Sequence, residues 1–247
     1  MKSKSILISI AIIVLVFNSC VKEGPEGPPG ASGSALSGSL VGFVYLYDEY
    51  GVPISDKSGV TVTVDGYIPS LSATTNSSGK YQIDNMTAGT YDLIFSKTGY
   101  ATYKSLSLSF VGGVKPRVFN TTLVQQATTT VSSLTVTFYS STQFTLACTL
   151  APAIPAGYLR YLRVYYGKNS TVSSTNYITT AAFGSSVPAF SSIRSFDKGN
   201  FPSSTSLYVI AYAESYYTYY YQDLLSGLNI YTTIGSTGSN VASIIVP

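Results

Sequence analysis

Strict alternation of apolar and polar residues, the lack of a sustained helical period and a composition rich in β-formers predict an all-β chain. The expected architecture is two tandem β-sandwich domains after a signal peptide and a short collagen-like linker. Only 10% of residues are charged, while 22 are tyrosine and 11 phenylalanine, residue types that suit a half-buried pleated surface. The same composition removes whole classes of chemistry. The 247 residues include no histidine, which rules out a Ser-His-Asp or Cys-His catalytic unit and an imidazole-ligated zinc site.

The first element is a targeting segment, residues 1–19. Lys2 and Lys4 precede an apolar-to-neutral run from Ile6 to Phe17. Such a run is shorter than the roughly 20 residues a spanning helix needs, and it suits the core of a signal peptide. Phe17-Asn18-Ser19-Cys20 follows directly. This start resembles a bacterial lipoprotein signal, although Phe17 stands where that family usually carries leucine. The resemblance implies lipid on Cys20, a membrane anchor and a place in the cell envelope. An ordinary secretory signal ending near Ser19 is the alternative. In either case Lys2 and Lys4 leave, and the formal charge of +3 falls by two. That leaves no clustered basic face of the kind nucleic-acid binding requires.

Residues 20–35 form the second element. Glycine recurs at every third position from Gly24 to Gly33, with Pro25, Pro28 and Pro29 between, which is a collagen-like pattern. Four triplets are too few to sustain a triple helix alone, so the stretch reads as a proline-stiffened spacer. Short collagen-like tracts behind a lipoprotein cysteine resemble cell-envelope lipoproteins of the Bacteroidetes type. In that group Lys-acidic residues after the cysteine, here Lys22-Glu23, imply export to the outer face of the outer membrane.

Residues 36–126 are expected to be the first sandwich. Gly42–Tyr47 alternates, turn material follows at Asp48–Pro53, and Val60–Val64 places valine on one face and threonine on the other. Ala73–Ile83 has the form strand, Asn/Gly turn, strand, and Met86–Phe95 adds a further turn and strand. Gly42-x-Val44, Gly51-Val52-Pro53-Ile54, Thr75-x3-Gly79-x-Tyr81, Ala88-Gly89-Thr90-Tyr91 and Lys97-x-Gly99-Tyr100 occur in the order found in carboxypeptidase-regulatory-like domains. That resemblance implies a transthyretin-like β-sandwich in which Gly79 and Gly89 serve turns while Tyr81 and Tyr91 pack. It carries over no catalytic group. Asp48 and Glu49 are read as turn and solvent residues.

Residues 127–247 are expected to be the second sandwich, with strands at Leu134–Phe138, Phe144–Leu150, Tyr158–Tyr166, Asn176–Phe183, Ala189–Phe196, Ser206–Ser215 and Asn229–Ile234. Cys148 shares a strand face with Phe144, Leu146 and Leu150, so it reads as a small buried apolar residue. The run Phe201–Ala213 resembles the late strand of fibronectin type III-like domains. The corner tyrosine of that family falls at Leu207, with Tyr208 one place on, and an Ig-like sandwich of another subtype is the fallback.

Function is read from the tyrosines. Fourteen of the 22 lie in the second domain, and Tyr216, Tyr217, Tyr219, Tyr220 and Tyr221 crowd into six residues. Because a strand alternates its faces, these five cannot all enter one core. Some must face solvent, a neighbouring domain or a ligand, glycan or protein. Cross-strand pairing within a sheet is the competing use. The expected activity is binding or adhesion without catalysis, cofactor or metal; the alternative is a structural or spacer subunit of a larger envelope assembly.

Overall fold

The computed structural model describes residues 36–247. The signal segment, Cys20 and the tether lie outside the described residues. Among the described residues every regular element is a strand, and no helix is long and apolar enough to cross a membrane.

The first sandwich comprises β1 (Ser37–Tyr47), β2 (Thr61–Asp65), β3 (Leu71–Thr74), β4 (Lys80–Thr87), β5 (Gly89–Ser96), β6 (Tyr103–Phe110), β7 (Arg117–Val118) and β8 (Thr121–Val124). One sheet has β1 at its centre, antiparallel to β4 and parallel to both β7 and β8. The other runs β3-β2-β5-β6. Alternation explains the layers: Val60, Val62 and Val64 are fully buried, while Thr61 is exposed. They meet Leu40, Val44 and Leu46 of β1 and Ile83 of β4 across the core, with Phe95 of β5 beside Val62 in the same sheet. Each such side chain contributes roughly 1.5–3 kcal/mol on burial.

The Asn76–Gly79 turn carries the chain from one sheet to the other, because β3 and β4 do not pair with each other. Asn76 Oδ1 accepts from the backbone N–H of Ser78 and Lys80 at 3.1 and 3.0 Å. Gly79 completes the turn at φ +85°, and a Cβ there would lie 2.3 Å from the carbonyl oxygen of Val44. Both conditions select glycine. Tyr81 is buried and donates its hydroxyl to the Phe119 carbonyl at 2.7 Å; Tyr91 packs on Tyr67 with ring centroids 5.5 Å apart.

The second sandwich comprises β9 (Thr130–Ser140), β10 (Gln143–Ala151), β11 (Arg160–Gly167), β12 (Thr179–Ser185), β13 (Ala189–Ser195), β14 (Ser206–Glu214) and β17 (Ala242–Ile245), plus a separate hairpin of β15 (Tyr220–Gln222) and β16 (Asn229–Tyr231). Its sheets run β13-β10-β9 and β12-β11-β14-β17. Phe144, Leu146, Cys148 and Leu150 of β10 share the core face as their alternation requires. Burial pushes the Cys148 thiol up to about 11, consistent with an inert packing residue.

Strand β11 departs from simple alternation by being buried on both faces. Leu162, Val164 and Tyr166 enter the sandwich core. The opposite face, with Arg163 and Tyr165, is covered by the excursion between β14 and β17, which contributes Tyr231 and Ile234 to a smaller apolar cluster with Tyr165, Tyr177 and Tyr212. A strand covered on both sides loses the polar face that a half-exposed strand keeps. Leu207 lies in the sandwich core, and Tyr208 packs on the smaller cluster.

Candidate functional site

The tyrosine run is mostly not a strand. Residues 215–219 form an irregular segment leaving β14, and only Tyr220 and Tyr221 enter β15. This segment lies against the first sandwich, held by the Tyr216 N–H donating to the Glu49 carbonyl at 3.0 Å. Its side chains still divide in alternation. Tyr217, Tyr219 and Tyr221 are half-buried, while Tyr216 and Tyr220 are 48% and 58% exposed.

The three half-buried rings face the first sandwich one after another. Tyr217 meets Tyr47 edge-on at 5.3 Å, and Tyr219 meets Tyr103 edge-on at 5.5 Å. Tyr217 and Tyr219 lie almost parallel, and the Tyr219 and Thr122 hydroxyls share a short hydrogen bond. Burial raises the Tyr219 pKa above the ordinary phenol value. Lys104 Nζ stands 4.3 Å from the centre of the Tyr221 ring. Each aromatic pair of this geometry adds about 0.5–1.5 kcal/mol beyond the area it buries. Tyr216 covers Gly51, where a Cβ would come 2.8 Å from the tyrosine ring, and Tyr220 packs on Tyr231 at 5.4 Å.

Two buried ion pairs back this seam. Glu49 Oε2 lies 2.9 Å from Arg160 Nη1, and its two oxygens accept from the Thr128 N–H and hydroxyl at 2.6 and 2.8 Å. Arg160, without any exposure, also rests on the Tyr50 ring at 4.4 Å. Glu49 therefore differs from the turn-and-solvent role expected of it. Asp48 makes the turn, accepting from Tyr50 and Val52, and its neighbour points inward to a partner on the other sandwich. No local pattern announces such a pair, because its members are more than a hundred residues apart. In the second pair Arg163 donates Nε to both oxygens of Glu214 at 2.9 and 3.0 Å, while Nη2 lies 2.9 Å from Oε2. Both carboxylates are thus committed to guanidinium partners.

At the end of the seam a groove of about 410 Å³ opens between the sandwiches, lined by Asp65, Asp92, Lys104 and Ser107 on one side and Tyr221 and Asp223 on the other. Asp92 accepts from the Ser107 N–H at 2.7 Å, and Asp223 from the Ser226 hydroxyl and N–H at 2.6 and 2.8 Å. Those Ser226 bonds hold the Asp223 carboxyl below its ordinary pKa. No group of three His, Cys, Asp or Glu residues among the described residues could hold a metal ion. Of the five predicted tyrosines, only Tyr221 lines the groove. The sequence reading missed Asp65, Asp92, Lys104 and Asp223, which converge only through tertiary packing.

No curated protein matches the chain. Among solved structures, a type II cohesin–X-dockerin complex from Acetivibrio cellulolyticus is similar at 21% identity and a TM-score of 0.30, over 36% of this chain and 58% of that one. A DUF3823 family protein from Parabacteroides merdae is similar at 14% identity and a TM-score of 0.33, over 85% of this chain and 99% of that one. BcpA, the major pilin subunit of Bacillus cereus, is similar at 9% identity and a TM-score of 0.32, over 85% and 69%. The model of the carboxypeptidase regulatory-like domain family matches residues 39–137, so what the chain shares with that family is its first sandwich, from β1 into β9.

Proposed function

We propose that this chain is a lipid-anchored cell-envelope protein, held at the outer membrane through Cys20, that displays two β-sandwich modules for binding. The observation that carries the binding reading is the groove at the end of the seam. Neither sandwich makes it alone, and it combines an aromatic ring, three carboxylates, an amine and hydroxyls in one concave surface. Such a set donates and accepts many hydrogen bonds around an aromatic body, the chemistry a polyhydroxylated glycan or a polar peptide needs. On this reading the second sandwich is a fibronectin type III-like module, which its three-stranded and four-stranded sheets support. The excursion after β14 then acts as an enlarged loop that fastens the module to its neighbour.

A glycan array and matrix-protein binding assays with the full chain test the binding reading. Tyr221→Ala and Asp92→Asn should each weaken any ligand found, while the exposed Tyr139→Ala, in a different strand, should not. Unchanged binding by both groove variants would sink the assignment of the groove. Mass spectrometry of the mature amino terminus tests the anchor, since an unmodified Cys20 is incompatible with it.

One observation favours the spacer reading. Tyr217 and Tyr219 commit their rings to edge-on contacts with the first sandwich, as expected of a joint that sets the geometry of a larger assembly. A stoichiometric partner recovered from mild-detergent membranes would support that role, and a monomer would oppose it.

A further inference from the structure

The second sandwich contains a cavity that the seam and its groove do not use. It enters the core from the open flank between β12 and β13, the edge strands of the two facing sheets, and measures about 190 Å³. Its walls include Phe144, Tyr166, Phe183, Phe201 and Leu207. An apolar cavity of about 150 Å³ is enough to take benzene, so a single ring with a short polar substituent fits here.

One cation lies at this cavity. The Arg194 guanidinium carbon lies over the Phe183 ring, 3.7 Å from its centre. Its Nε is buried and has no hydrogen-bond partner among the described residues, and Arg194 takes part in neither ion pair found there. An unmade hydrogen bond from a buried charged donor is costly, and a planar guanidinium is best satisfied by a carboxylate. Asp197 lines the same cavity but is turned to its own loop, accepting from the Asn200 N–H and side-chain amide at 3.2 and 2.8 Å. Those bonds hold its carboxyl below the usual range, so it stays ionised. A second negative charge therefore sets a limit: a monoanion can reach Arg194, whereas a dianion meets repulsion from Asp197.

We infer that this cavity is a binding site for a small aromatic monocarboxylate, whose ring occupies the space among Phe144, Tyr166, Phe183 and Leu207 and whose carboxylate pairs with Arg194. This site is independent of the seam groove, and neither stands or falls with the other.

Calorimetric titration of the full chain with phenylacetate and with phenylacetamide, its uncharged isostere, tests the inference. The acid should bind about tenfold more tightly than the amide, the difference expected for one charge-assisted pair. Arg194→Gln should abolish that preference, with its melting curve showing that the fold persists. Ala181→Leu, which fills the cavity from β12 and leaves Arg194 in place, should remove binding of both compounds. Equal affinity for acid and amide, a preference that survives in Arg194→Gln, or no binding of phenylacetate at millimolar concentration would each overturn the assignment.

Discussion

Removing the Glu49 carboxylate should expose how strongly the two sandwiches depend on each other. Arg160 has no exposure to solvent. Among the described residues its Nε and Nη2 have no hydrogen-bond partner, and Nη1 sits 2.9 Å from Glu49 Oε2 without hydrogen-bond alignment. The charge is therefore balanced by one carboxylate and the face of Tyr50. Glu49→Ala leaves that charge buried and unpaired, which costs about 3–5 kcal/mol, and takes away the acceptor of the Thr128 N–H. At about 2–4 °C per kcal/mol for a chain of this size, the melting temperature should fall by about 6–20 °C. The readouts are urea and thermal unfolding followed by far-ultraviolet circular dichroism and tyrosine fluorescence, undisturbed because the chain has no tryptophan. A seam that couples the sandwiches also predicts one transition in the parent chain and two in the variant. Glu49→Leu combined with Arg160→Met should recover much of the loss, since an apolar pair replaces a buried ionic one without an orphan charge. A loss below about 1 kcal/mol with a single transition retained would refute this reasoning, because a wet, loosely apposed seam would behave that way.

Three other outcomes are expected. Tyr219→Phe should cost about 1 kcal/mol by deleting the hydroxyl shared with Thr122, and Tyr219→Ala about 2–3 kcal/mol because ring burial against Tyr103 goes too, both read from urea midpoints. Cys148 is pushed up from 9.0 to about 11 by burial; a folded-state pKa above the unfolded one contributes stability that is present below about pH 9 and lost as pH rises through about 11. Cys148→Ala should flatten that part of the stability–pH profile, and the native thiol should react with iodoacetamide only on unfolding. Gly79→Ala should destabilise by about 2 kcal/mol or more, as it forces a side chain into φ +85° and onto the Val44 carbonyl, a combination of strain and overlap.

Most strands were legible in the sequence because alternation is a local property. Val60–Val64 and Phe144–Leu150 fold as their patterns require, with the apolar set buried on one face. Local pattern says less about partners. The Asn76–Gly79 turn looks the same whether it closes a hairpin or crosses between sheets, and only the pairing of β4 with β1 decides. Tyr158–Tyr166 reads as two opposed faces, yet from Leu162 onward both are buried, since the cover over Arg163 and Tyr165 comes from residues some 50 to 70 positions later, while Tyr158 and Leu159 precede the strand and stay exposed.

By itself the sequence determined the all-β character, the turns and the excess of tyrosine that had to find partners outside a single core. It also excluded histidine chemistry, since composition alone decides that. Tertiary structure decided where each ring went. Tyr217 and Tyr219 face the first sandwich, Tyr221 lines a groove beneath Lys104, and Tyr216 and Tyr220 remain exposed. The physical reason is that alternation specifies opposite directions along a chain but not what lies in either direction. That depends on which distant segment arrives to bury the apolar surface, and on buried charges such as Glu49 and Arg160 whose pairing has no signature within any short stretch of sequence.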